Sequence, residues 1–204
     1  MAIKLKQLYQ ALTAYQDSEN RGDFALLKAD ALGAKANPAI AKKMAQIQGY
    51  HPKIDLAELI RLPSATLGYE YASHMQRNQL QPLNISPELA EIAQDNVFAL
   101  RYAVTHDIFH VLLNFDTSYA GEIGVLAFAV EQQYSSLQNV SLLIAQFLYP
   151  ILAPRQFKTI FANLRRGRSL GRQANFLLNY RFEERWNKPL NDIREELGIL
   201  SLDS

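Results

Sequence analysis

Apolar residues three and four apart recur along almost the whole chain, and no run alternates apolar with polar residues for long. The first pattern lines one face of an α-helix, whereas half-buried strands need the second. The chain is therefore held to an all-α fold. Leu5, Leu8, Leu12 and Tyr15 make one such stripe. Asn37 followed by Pro38 offers a capping side chain and then a proline at the first helical position. Asp55 is placed to cap Leu56 to Arg61, and Ser86 with Pro87 opens another helix, with Glu88 a favourable charge in its first turn. Thr117 is placed to cap the helix that carries Glu122. Asn187 to Leu197 reads as helix closed by Gly198. Pro52, Pro63 and Pro82 mark short loops. These signals predict about eight to ten helices. No repeat, low-complexity tract or change of composition divides residues 1–204, so a single domain is expected.

The formal net charge is only +1, which disfavours a dedicated nucleic-acid binder. The absence of cysteine excludes disulfides, thiolate ligands and cysteine nucleophiles. Met1 to Gln10 reads as neither signal nor transit peptide. The most apolar stretch, Val140 to Ala153, is interrupted by Ser141, Gln146 and Pro150, and a bilayer-spanning helix needs roughly 20 apolar residues. The expectation is a cytoplasmic protein, with peripheral contact at the inner membrane left open. Leu142, Leu143, Ala145, Phe147, Leu148, Ile151 and Leu152 run nearly all around one helix. That suits buried core first and the wall of a lipid groove or tunnel second. The stripe Leu67, Tyr71, Met75 reads as core.

The chemistry concentrates in His106-Asp107-x-x-His110, followed by Glu122 after eleven intervening residues. Four-residue spacing puts both imidazoles on one helix face, one turn apart. A cation needs convergent lone pairs at about 2 Å. Asp107, rotated by about 100°, is a third ligand or a partner behind one. Glu122 can return on an antiparallel helix. Mixed nitrogen and oxygen ligands suit zinc, iron or manganese more than calcium. A hydrogen-bonded structural cluster is the alternative. Val104, Ile108, Phe109, Val111, Leu112 and Leu113 surround these groups, and burying them there is costly without pairing or a metal.

These residues resemble the ubiquinone-biosynthesis family often called Coq-four, whose signature is HDxxH followed eleven residues later by Glu. Leu62-Pro63-Ser64-Ala65-Thr66-Leu67-Gly68 with Tyr71 and Met75 looks like its LPxxTLGxxYxxxM segment. Gly121-Glu122 looks like its Gly-Glu pair. Tyr180 to Trp186, Pro189-Leu190 and Arg194 to Ile199 look like its closing stretch. The resemblance runs from about Gly22 to Ile199 and implies an all-helical protein of polyprenyl quinone synthesis. It further implies a divalent metal, zinc by usual assignment with magnesium, manganese or iron as alternatives, held by His106, Asp107, His110 and Glu122. It also implies an isoprenoid lipid or prenylated quinone precursor, a membrane surface and a homodimer as partners. The family is viewed both as a scaffold and as an enzyme replacing the C1 carboxylate of the ring by a hydroxyl, an oxidative decarboxylation. Asp107 could then be a catalytic base.

One stretch departs from the family pattern. Where many members carry a lysine and then a Phe-Glu pair, this chain has Leu126 and Ala129, and Glu131 stands out of register. Chemistry that needs that lysine or acid is not carried over. Arg165, Arg166, Arg168 and Arg172, around Gly167 and Gly171, read as an anion site for a lipid phosphate or membrane, or as a solvated loop. Glu183 and Arg185 flank Trp186 as structural ion-pair formers, and His51 and His74 carry no assigned role. A metal-dependent phosphohydrolase of the HD type ranks below these readings, because it needs a further upstream His and a later Asp.

Overall fold

The computed structural model describes residues 21–83 and 85–199, so the Leu5–Tyr15 stripe lies outside the described residues. Among them are ten α-helices and no strand: α1 (Arg21–Ala31), α2 (Pro38–Met44), α3 (Leu56–Leu59), α4 (Leu67–Arg77), α5 (Ala90–Asp95), α6 (Val97–Leu113), α7 (Tyr119–Glu131), α8 (Ser136–Leu152), α9 (Phe157–Gln173) and α10 (Leu190–Glu196). Thr66 and Pro189 form an isolated antiparallel bridge. The all-α expectation holds, and Leu67, Tyr71 and Met75 are buried core.

The centre of the fold is α6, which is apolar on nearly every face. Phe98, Leu100, Ile108, Phe109, Leu112 and Leu113 are all buried. A helix wet on no side has to be wrapped, and α1, α2, α4 and α7 pack around it. Arg101 is buried on the same helix and donates to both carboxylate oxygens of Glu183, at 2.7 and 3.5 Å. It also donates to the carbonyls of Leu178, Tyr50 and Tyr180. Glu183 thus pairs across the fold to Arg101, and removing either partner would cost about 3–5 kcal/mol by stranding the other.

Several local signals read differently in three dimensions. Asn37 precedes Pro38 as expected, but its amide donates to the Gln133 carbonyl instead of capping α2. Asp55 does cap α3, accepting from the backbone of Ala57 and Glu58. Ser86-Pro87 opens a short 3-10 turn without a side-chain cap. Ser118, not Thr117, caps α7. The reason is Asp116, whose Oδ1 accepts from the Ser118 backbone and hydroxyl, while Thr117 turns away to Asn78.

The arginine-rich stretch is helix α9, not a loop. Gly167 belongs there because α9 crosses α7 at close range: a Cβ on Gly167 would sit 2.1 Å from the Gly124 carbonyl oxygen. The expectation that Val140 to Ala153 is buried core is also corrected. Only Gln138, Leu142 and Ala145 of α8 are buried. Val140, Leu143, Ile144, Phe147, Leu148, Ile151 and Leu152 are exposed, Phe147 to 71% and Ile151 to 75%. The neighbouring helices reach one narrow side of α8 only, so an all-round apolar helix is left with a bare face.

Candidate metal centre

The centre is built by α6 and the turn that follows it. Asn114 ends α6 in the left-handed conformation, φ 53° and ψ 51°. This swings the chain so that the Phe115 carbonyl oxygen lies 3.2 Å from His110 Nδ1. That carbonyl can only accept, so Nδ1 carries the proton and Nε2 keeps its lone pair. Ser118 then starts α7, and Glu122, in its first turn, comes back over α6. Glu122 Oε1 lies 3.3 Å from His110 Nε2, and Oε2 lies 3.5 Å from His106 Nε2.

The separations fit a cation. Ligand atoms around one tetrahedral zinc stand about 3.3 Å apart, from bonds of about 2 Å. One donor atom each from His106, His110 and Glu122 lies within 4.8 Å of the others. His110 Nε2 is buried and makes no hydrogen bond among the described residues. A bare, buried imidazole nitrogen is costly unless something meets it. His106, His110 and Glu122 are therefore a triad able to hold a metal.

Asp107 stands outside that triad. Its Oδ1 lies 3.7 Å from His106 Nδ1, the ring nitrogen that does not face Glu122. This is the position of a carboxylate that orients an imidazole from behind. Burial alone would lower the His106 pKa, but Asp107 and the Glu122 charge outweigh it and hold it above the usual value. The same pairing overcomes burial at Asp107 and keeps its carboxyl below the usual range, helped by His110 and His74.

Of the arginines, Arg165 is exposed. Arg166 donates to the carbonyls of Leu113 and Asn114 and covers the Phe115 ring. Arg168 and Arg172 pair with Glu131. They do not converge on one point, and Arg166 clamps the turn that aims Phe115.

Two cavities meet the centre. An apolar cleft of about 470 Å³ is lined by His106 and Asp107 together with Leu32, Phe98, Tyr102, Leu126, Leu137 and Gln138. A polar cavity of about 310 Å³ is lined by His110 and His74 with Glu70, Arg77, Asp116 and Arg194. The sequence reading missed His74, whose ring stacks on His110 with centroids 5.9 Å apart. Seventy-four is far from the motif in sequence, so no spacing argument could have found it. It also missed Tyr102 and Gln138. Tyr102 lies four residues before His106 and on its face, a signal that was available. Leu126, where the resemblance sets a lysine in many members, lines the cleft, and Ala129 is packed in the core.

Residues 34–203 match the sequence model of the family described as Coenzyme Q (ubiquinone) biosynthesis protein Coq4. The rat ubiquinone biosynthesis protein COQ4 homolog, mitochondrial, is 33% identical over 168 residues, covering 76% of this chain and 60% of the relative. The human protein of the same name is 32% identical over 169 residues, with the same shares. The chain thus spans about 60% of the length of these relatives. A crystal structure of a candidate ubiquinone biosynthesis protein from Nostoc punctiforme superposes with a TM-score of 0.64 over 97% of both chains at 23% identity, a likeness of fold. The motif at His106 to Glu122, the helical architecture that folds it into one centre and the family match over most of the chain agree: this chain belongs to the Coq4 family of coenzyme Q (ubiquinone) biosynthesis proteins.

Proposed function

We propose that this chain serves polyprenyl quinone synthesis by holding a prenylated aromatic precursor beside a divalent cation and replacing the C1 carboxylate of its ring by a hydroxyl. One observation carries this reading: His106, which shares a possible cation site with Glu122 and the unpartnered Nε2 of His110, lines an apolar cleft of about 470 Å³. Zinc suits two nitrogens and a carboxylate, with magnesium, manganese or iron as alternatives. When bound, the cation supplies a Lewis acid for the ring's oxygen substituents. His106, His110 and Glu122 hold it, and the Phe115 carbonyl and Asp107 keep the imidazoles aimed. The cleft's apolar walls take the prenyl chain and exclude water. Asp107, which lines the cleft beside His106, is the base proposed for a ring hydroxyl proton.

The exchange of carboxylate for hydroxyl breaks the ring–carboxyl bond, forms a ring–oxygen bond and releases carbon dioxide. It is a two-electron oxidation of the ring carbon, so it consumes dioxygen with a reductant, or another two-electron oxidant that donates oxygen.

A second reading has its own support. Leu126 lines the cleft where the resemblance sets a lysine in many members, which favours a lipid-holding scaffold without turnover. The discriminating experiment supplies the metal-loaded protein with a geranylated 4-hydroxybenzoate, an oxidant and a reductant. Release of carbon dioxide matched by hydroquinone supports the enzyme. Saturable binding without product supports the scaffold, and absence of binding rejects both.

The bare apolar face of α8 has a proposed partner too, an anionic membrane surface. The helix contains no charged residue, and exposed Arg155 and Lys158 follow at its end. No single helix among the described residues is long and apolar enough to cross a membrane, and the contact proposed is peripheral.

A further inference from the structure

Gln138 stands in the first turn of α8 and is only 7% exposed. Neither its side-chain oxygen nor its side-chain nitrogen has a hydrogen-bond partner among the described residues. A buried amide with both halves unmet weakens a fold, so its retention points to a group that arrives from outside. The amide lines the same apolar cleft as His106 and Asp107. The cleft's other polar lining includes the Tyr102 phenol, Lys28, Ser135 and Ser141. The Tyr102 phenol is near enough to interact with the Gln138 amide, but the two do not meet hydrogen-bond geometry. Tyr102 sits one turn before His106, with ring centroids 5.8 Å apart.

We infer that Gln138, with Tyr102, forms a subsite for a hydroxyl group on the aromatic ring of the precursor, one helical turn along the cleft from the imidazole of His106. An amide offers one kind of donor and one kind of acceptor, and a hydroxyl is the small group that answers both. A carboxylate or an ether would leave the amide oxygen unmet. One turn of helix rises about 5.4 Å, close to the span between substituents on opposite corners of a six-membered ring. The ring would thus be read at both ends, its hydroxyl by Gln138 and its opposite substituent at the His106 end. Specificity follows from the penalty of leaving the amide unanswered when a ring without the hydroxyl enters.

This inference rests on the cleft holding a prenylated aromatic ring. The test titrates the full chain, by calorimetry, with geranylated 4-hydroxybenzoate and with the same compound lacking the ring hydroxyl. The natural chain should bind the hydroxylated probe about tenfold more tightly or better, the value of one buried hydrogen bond. Gln138→Met, close in shape, should bind both probes alike. Its melting temperature without ligand should be no lower than that of the natural chain, because an unmet amide has been removed. Equal binding of both probes by the natural chain overturns the subsite alone. A fall in melting temperature, or equal weakening of both probes by Gln138→Met, also overturns it by making the residue structural. Failure of the natural chain to bind either probe rejects the prenylated-ring reading and this inference with it.

Discussion

The Nδ1 nitrogen of His110 lies 3.2 Å from the carbonyl oxygen of Phe115, and this contact leaves Nε2 as the atom that can bind a cation. The left-handed turn at Asn114 puts the carbonyl there, so backbone geometry fixes the tautomer. His110→Phe keeps the ring volume and removes the lone pair. It should purify with almost no bound metal, whereas the natural chain should carry about one ion, measured by elemental mass spectrometry. At cation concentrations about 100 times the dissociation constant, the natural chain should gain about 2.7 kcal/mol of stability. The variant should gain none. A folded variant that still carries one ion would remove His110 from the ligand set.

Asp107 gives a sharper contrast, because the family resemblance makes it a ligand and the geometry puts it behind His106. Asp107→Asn should keep the metal stoichiometry and lose roughly 10- to 100-fold in affinity, as partners that orient a ligand do. Competition against a chelator of known affinity measures this. Loss of the site altogether would return Asp107 to direct coordination.

His74 predicts a pH dependence. Burial, and next the neighbouring His110, hold its pKa below the usual imidazole value. A base with a lowered folded pKa favours the native state above its unfolded pKa of about 6.5. That stability is lost as pH falls from there through the folded pKa. His106 acts with the opposite sign: its pKa is raised, so its contribution is present in acid and fades as pH climbs through the folded pKa. His74→Phe keeps a ring against His110 and removes the first effect, together with the smaller help that His74 gives to Asp107. With chelator present, the melting temperature of the natural chain should therefore drop more than that of His74→Phe between about pH 6.5 and 5. Parallel curves would show that His74 does not titrate differently on unfolding.

Much of this was legible in the chain, for physical reasons that differ from residue to residue. Periodicity is local, so the helices and the core stripe Leu67, Tyr71, Met75 could be read directly. The i, i+4 spacing likewise put His106 and His110 on one face. Glu122 was reachable because a short turn separates its helix from theirs. His74 and Gln138 were not, since each reaches the centre through packing between helices remote in sequence. The glycines of α9 misled for a related reason. Gly167 looks like a loop signal locally, and its cause is the Gly124 carbonyl on another helix. The bare face of α8 was hidden too, because apolar residues all round a helix look the same whether neighbours cover them or not.

That bare face supplies the last prediction. An uncharged helix with Phe147, Ile151 and their neighbours exposed is unfavourable in water, and a bilayer interface or a second copy of the chain would relieve it. The two occupants differ in what Arg155 and Lys158 should do. At an anionic membrane each basic residue adds about 1 kcal/mol, an effect screened by salt, whereas an apolar contact between copies depends little on either. The natural chain should therefore sediment with vesicles containing phosphatidylserine and less with neutral ones. Replacing Arg155 and Lys158 by glutamine should weaken anionic binding by about 30-fold, the equivalent of about 2 kcal/mol. Phe147→Asp with Ile151→Asp should abolish binding to both kinds of vesicle, since two exposed anchors are lost and two anions are placed at the lipid surface. Neither pair of changes touches the core, so melting temperature and metal content should stay as they were. If the aspartate variant instead turns a dimer into a monomer while the natural chain ignores vesicles, the face joins two copies and the membrane assignment fails.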